Sequence, residues 1–214
     1  MKKWASSLLC VLLGVIIGGA IIYFSVGSSR QTIVNIGPDS EPIGADASNA
    51  SLTAYAYEVL GYIKEENFGA LSAVVHPEFG LVFSPYATVA LSTNKCFTAG
   101  EVAKLGEDSS KYIWGVKDGS GGPIEMTVSD YFSEFVYKFD YMNAPEIGVD
   151  YIVRTGNALE NITEVFPDSR FVDFHIPKTT KNTEGQDWSS IRLVFEEHDG
   201  VLMLSAVVHS VWTV

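Results

Sequence analysis

Cysteine is almost absent from this chain. Cys10 and Cys96 are the only two, and Cys10 falls in an apolar N-terminal run, so no disulfide can form within the region that follows it. A fold of this size does not need one, because its core can be large enough without covalent staples. Basic residues are scarce as well: 14 Lys and Arg stand against 26 Asp and Glu, a net charge of -12. A field of that sign repels phosphate backbones and anionic headgroups, so nucleic acid is not an expected partner.

The motifs of several catalytic classes are missing too. There is no His-Glu-x-x-His, no Cys-x-x-Cys and no Gly-x-Ser-x-Gly elbow. The glycine-rich stretch 117–123 lacks the Gly-Lys-Ser/Thr of a phosphate loop, and its lone Asp118 cannot build a calcium site. It reads as a turn. Asp173-x-His175 offers two ligands on one strand face but nothing to complete a zinc site. Neither metal nor cofactor is expected. Internal repeats and low-complexity tracts are also lacking.

Hydrophobic sequence is plentiful, first of all at the N-terminus. Lys2 and Lys3 precede an uncharged run from 4 to 26, the positive flank and apolar core of an export signal. As a helix that run would reach roughly 35 Å, enough to cross a hydrocarbon core of about 30 Å. This predicts a signal anchor or transmembrane helix over 1–27. The lysines would stay in the cytoplasm and the remainder would lie outside it, or be secreted if the segment is cleaved. Leu9 is too large for a lipidation signal before Cys10, and Gly14-x-x-x-Gly18 is a weak dimerisation pattern. Residues 28–50, rich in Ser, Gly, Asp and Pro, read as a flexible tether, and 51–214 as one extracytoplasmic α+β domain.

Within that domain, apolar residues recur at three and four from Leu52 to Ile63, which predicts a helix over 52–66 capped by Ser51. Asn67 caps a second helix, with Leu71, Val74 and Val75 inside, stopped by His76-Pro77. A strand over 81–84 follows, then a capping box, Thr98 to Glu101, then a strand over 112–116. Thr127 opens a helix whose stripe of Val128, Tyr131, Phe132, Phe135, Val136 and Phe139 either packs a core or lines a pocket. A strand is expected over 149–154, a helical turn within 159–165, a strand over 170–176 and a polar loop over 178–187. The last stretch, 188–214, reads as a hairpin turning at 197–200. Its first strand alternates Ile191, Leu193 and Phe195 with Arg192, Val194 and Glu196; its second is apolar on both faces yet carries His209.

Two helices ending in Val75-His76-Pro77, then a sheet closing on a long C-terminal hairpin, resemble the nuclear-transport-factor-2-like superfamily. The resemblance implies a cone: N-terminal helices packed on a curved, mainly antiparallel sheet, enclosing a pocket. That fold serves ketosteroid isomerases, scytalone dehydratases and many noncatalytic binding domains. The strings Phe83-Ser84-Pro85-Tyr86, Trp114-Gly115, Asp118-Gly119-Ser120-Gly121, Asn143-Ala144-Pro145, Asp187-Trp188 and Val208-His209 also resemble uncharacterised exported bacterial proteins, often lipoproteins. This chain departs from them in its anchor, and they bring no activity with them.

A cone enzyme needs an acid or base facing its pocket, and His209, Asp173 and His175 are the candidates, with a carboxylate fixing the tautomer of a histidine base. Against this, Arg192 can pair with Asp173, and both histidines can be satisfied within the sheet. A binding module asks less: an aromatic pocket of Tyr112, Trp114, Phe135 and Tyr137 with Arg192 at its rim. The expectation is a membrane-tethered domain that binds a small apolar ligand or an envelope protein without catalysis. The alternative is a cone-fold isomerase, dehydratase or hydrolase using a His/Asp acid–base pair.

Overall fold

The computed structural model describes residues 43–177 and 186–213. The expected anchor, the tether up to residue 42 and most of the polar loop over 178–187 lie outside the described residues. Among those described, no helix is long and apolar enough to cross a membrane.

The fold is α+β, with helices on a mixed sheet. Helix α1 (Asn49–Lys64) starts three residues earlier than the sequence suggests, because Ser48 rather than Ser51 is its cap: the Ser48 hydroxyl accepts from Ser51 N–H. Its buried stripe of Leu52, Ala56, Val59, Leu60 and Ile63 lies against the sheet, each large side chain contributing about 1.5–3 kcal/mol by burial. Helix α2 (Phe68–Ala73) is capped by Asn67 and the short α3 (Ala99–Val102) by Thr98, as the sequence predicts. Residues 43–48, assigned to the tether from sequence, belong to the folded unit. Ile43 is buried and its carbonyl accepts from Leu202 N–H, while Ala45 N–H donates to Gly200.

Six strands form the main sheet: β1 (Leu81–Ser84), β2 (Lys95–Phe97), β5 (Glu146–Val149), β6 (Arg170–Ile176), β7 (Ser189–His198) and β8 (Val201–Val211). Their order is β2-β1-β8-β7-β6-β5. The C-terminal hairpin is thus its centre. All neighbours run antiparallel except β1 and β8, which are parallel, so the sheet is mixed. The remaining strands, β3 (Lys111–Val116) and β4 (Pro123–Thr127), form a separate hairpin around the glycine-rich turn.

Pairing of Val194 with Ala206 but of Phe195 with Leu204 leaves Ser205 as an extra residue, a bulge that bends the hairpin. One sheet face carries Val172, Phe174, Ile191, Leu193, Phe195, Leu204 and Val207 into the main core under α1 and α2. That core continues into an aromatic cluster where Trp114 stacks on Tyr131 at 3.8 Å and 5°. The opposite face, with Phe171, Val194, Ala206 and Val208, is covered by residues from the connection between β5 and β6, including the short α5 (Ile162–Val165).

Two expected elements differ. The helix opened by Thr127 makes a single α-turn, α4 (Val128–Tyr131), before widening into a π-turn over Phe132–Val136. The strand expected over 149–154 instead ends at Val149. Asp150 takes φ 58, and its carboxylate accepts from Phe171 N–H and from the Arg170 guanidinium.

Candidate functional site

His209 occupies the face of β8 that looks into the main core. Its Nδ1 lies 3.1 Å from the Pro85 carbonyl, which can only accept, so Nδ1 carries the proton. Nε2 is then an acceptor, taking the Ser189 hydroxyl at 3.0 Å. Ser189 in turn accepts from the Tyr141 hydroxyl at 2.6 Å. One carbonyl thus fixes the direction of every proton in the chain Tyr141, Ser189, His209. Burial holds the imidazole neutral, pushing it down to about 4 against the opposing pull of the Pro85 carbonyl.

Ser189 and His209 have the hydrogen bond of a nucleophile and its base. Ser189 and Tyr141 are nevertheless completely buried, so this arrangement offers no hydroxyl to a substrate. A small open cleft of about 290 Å³ adjoins His209, bounded by Phe135, Lys138 and Trp212. Sequence reading singled out neither Ser189 nor Tyr141. The alternation of β7 places Ser189 on the face of Ile191, but nothing before the fold identifies its partner.

Asp173 and His175 lie on the other side of the sheet. Asp173 pairs with Arg192 across β6 and β7, whereas His209 pairs with Ile191 across β7 and β8. Adjacent positions of a strand point to opposite faces. The sheet therefore separates His209 from Asp173, and these two do not form the acid–base pair considered from sequence.

Asp173 and His175 instead join Arg192 in a buried polar cluster. Arg192 Nε donates to Asp173 Oδ2 at 3.2 Å, Nη1 donates to Glu160 Oε2, and Nη2 donates to Glu160 Oε1 at 3.1 Å and to the Arg154 carbonyl at 3.2 Å. Asp173 Oδ2 also accepts from Val153 N–H. Its other oxygen, Oδ1, is buried with no hydrogen-bond partner among the described residues. His175 shares a hydrogen bond with Ser190 through Nδ1 at 2.9 Å and packs on Trp188. Burial lowers its pKa, with Asp173 and then Glu146 pulling it back up. Glu160 is the member that sequence reading missed, since it sits in a connection with no periodicity.

The five residues expected to line a binding pocket do not line one cleft together among the described residues. Trp114 is fully buried in the aromatic cluster, its indole N–H donating to the Met126 carbonyl. Tyr112 packs edge-on to Phe97 with the Lys95 ammonium 4.8 Å from its ring. Tyr137 donates to Asp140 at 2.8 Å, and burial followed by that bond pushes its phenol up to about 12. Phe135 borders the cleft beside His209, and Arg192 is buried on the opposite face.

A larger open cleft, about 540 Å³, lies where three connections meet: the loop after β1, the glycine-rich turn after β3 and residues 157–159. Each wall is tied down. Thr88 Oγ1 donates to the Leu159 carbonyl at 2.7 Å, and Asn161 makes two bonds with the backbone of Val89. Asn157 makes three with Thr213. The turn closes through Gly119 and Gly121 at φ 74 and 67, where a side chain would be strained. Among the described residues no group of three or more His, Cys, Asp or Glu is placed to hold a metal ion. Compared with family models, with curated proteins and with solved structures, the chain gives no match.

Proposed function

We propose that the chain is a noncatalytic binding domain of cone-like architecture, held outside the cytoplasmic membrane by its N-terminal apolar run, with the larger cleft as its ligand site. The observation that carries this reading is a contrast. The side chains suited to acid–base chemistry are engaged inside the protein: His209 by Pro85 and Ser189, Asp173 by Arg192 and Val153, and His175 by Ser190. The cleft between the three tied loops, by comparison, is open to solvent and has a volume within the range of about 300–1,000 Å³ typical of small-molecule sites. Support for the cone comes from the two N-terminal helices over one sheet face and from the bulge at Ser205 that bends the central hairpin. The uncharged run behind Lys2 and Lys3 supports the anchor.

Thermal unfolding of the full chain in lipid nanodiscs, scanned against a panel of small molecules, tests the reading. A ligand present at 100 times its Kd should add about 2.7 kcal/mol of stability. If the panel has no effect while envelope proteins bind and stabilise the domain, the cleft is not a ligand site and the domain is an interaction module.

A further inference from the structure

We infer that the larger cleft takes a neutral, hydroxyl-rich ligand, a short glycan, in place of the small apolar ligand that the aromatic content of the sequence suggests. This rests on reading the cleft as the binding site. The charges on its walls come first. Among the described residues, the charged side chains lining it are Lys117 and Asp118, adjacent and opposite in sign. In a protein of net charge -12 such a balance is local, and it selects neither an anion nor a cation.

Its hydrogen-bonding groups come next. Ala90 N–H donates to Asn94 Oδ1 at 2.7 Å, which fixes the amide and leaves Nδ2 as a donor. The Thr88 and Thr93 hydroxyls spend their protons on the carbonyls of Leu159 and Ala90, leaving oxygen lone pairs as acceptors. Burial pushes the Tyr86 phenol up, so its hydroxyl keeps a proton to donate. The cleft therefore offers both donors and acceptors. A sugar hydroxyl, which does both, satisfies such a set, whereas an apolar ligand would strip these groups of water without replacing the bonds.

The apolar surface beside them completes the chemistry. Tyr86 presents a half-buried ring, Val116 is 45% exposed, and Leu159, at 66%, is the most exposed large hydrophobic residue described. A lone exposed leucine is ordinary. Apolar surface and polar groups in one cleft match the two sides of a pyranose, C–H on one face and hydroxyls around its edge.

The test is a titration of the isotope-labelled full chain in nanodiscs, followed by amide NMR, with three probes: a β-1,4-linked N-acetylglucosamine trimer, a galacturonic acid trimer and p-cresol. Saturable shifts from the neutral trimer should be confined to residues 85–94, 117–121 and 157–159. Asn94→Ala and the surface variant Leu159→Ser should each weaken it by about tenfold, a loss of about 1.4 kcal/mol. Tighter binding of the acidic trimer overturns neutrality. Shifts of the same residues by p-cresol alone overturn the glycan and leave the binding reading standing. No saturable response to any probe overturns both.

Discussion

Replacing Arg192 with methionine removes a buried cation that joins Asp173 and Glu160 beneath the connection between β5 and β6. The Asp173 side chain is fully buried and, among the described residues, would keep Val153 N–H on Oδ2 and no hydrogen-bond partner on Oδ1. Glu160 keeps 13% of its side chain exposed and can turn towards water, so most of the penalty falls on Asp173. Breaking a buried pair from one side costs about 3–5 kcal/mol, a fifth or more of a typical domain's total stability of roughly 5–15 kcal/mol. Removing the stranded charge as well should recover part of it. Arg192→Met with Asp173→Asn is expected to be more stable than Arg192→Met alone by about 1–3 kcal/mol. Urea unfolding followed by tryptophan fluorescence measures both, because Trp114 and Trp188 are buried and change environment on unfolding. An Arg192→Met variant that loses less than about 1 kcal/mol, or a double variant no better than the single one, refutes the reasoning.

The neutral His209 makes stability depend on pH. Above 6.5 neither state binds the proton; below it the unfolded chain does and the folded chain does not until about 4, so stability falls between those values by about 3 kcal/mol. His76 and His175, also lowered chiefly by burial, add to the slope in the same direction. Urea midpoints between pH 7.5 and 4.5 should be flatter in His209→Gln, and an unchanged slope would remove His209 as a source. Gly80 sits at φ 77 with a would-be Cβ only 2.5 Å from the Phe97 carbonyl oxygen, so Gly80→Ala should cost about 1–3 kcal/mol, read as a lowered Tm. A Tm within error of the parent would contradict that geometry. Asn157→Ala should lose about 1–3 kcal/mol and speed amide hydrogen exchange across 157–161 and at Thr213, because its three bonds hold those segments together. Unchanged exchange would mean the clamp is redundant.

Where information is local, the sequence is a good guide. Strand β6 runs over the residues its alternation marks, the hairpin turns within 197–200, and Thr98 and Glu101 form the reciprocal cap that their spacing predicts. Strands β2 and β4 went unread because they are short, and the second begins with a proline. The π-turn over Phe132–Val136 leaves no periodic trace in the sequence. For the site, the alternation of β6 correctly groups Asp173 with His175, but strand register, which sequence does not encode locally, decides which residues of β7 and β8 join them. That register sends Arg192 to Asp173 and His209 to the other face. The aromatic residues expected in a pocket mostly fill the core, while the open cleft is built from turn residues whose chemistry becomes visible only when distant loops meet.

The parallel pairing of β1 with β8 has a consequence for how the molecule is made. Val82 to Ser84 find their partners Ala206 to Val208 more than a hundred residues later. Emerging from a ribosome, the first strand must wait with one edge unsatisfied until β8 has appeared. The fold therefore has no stable N-terminal half: removing the final dozen residues would take away the strand that joins β1 to β7, and incomplete chains would carry a hydrophobic edge open to aggregation.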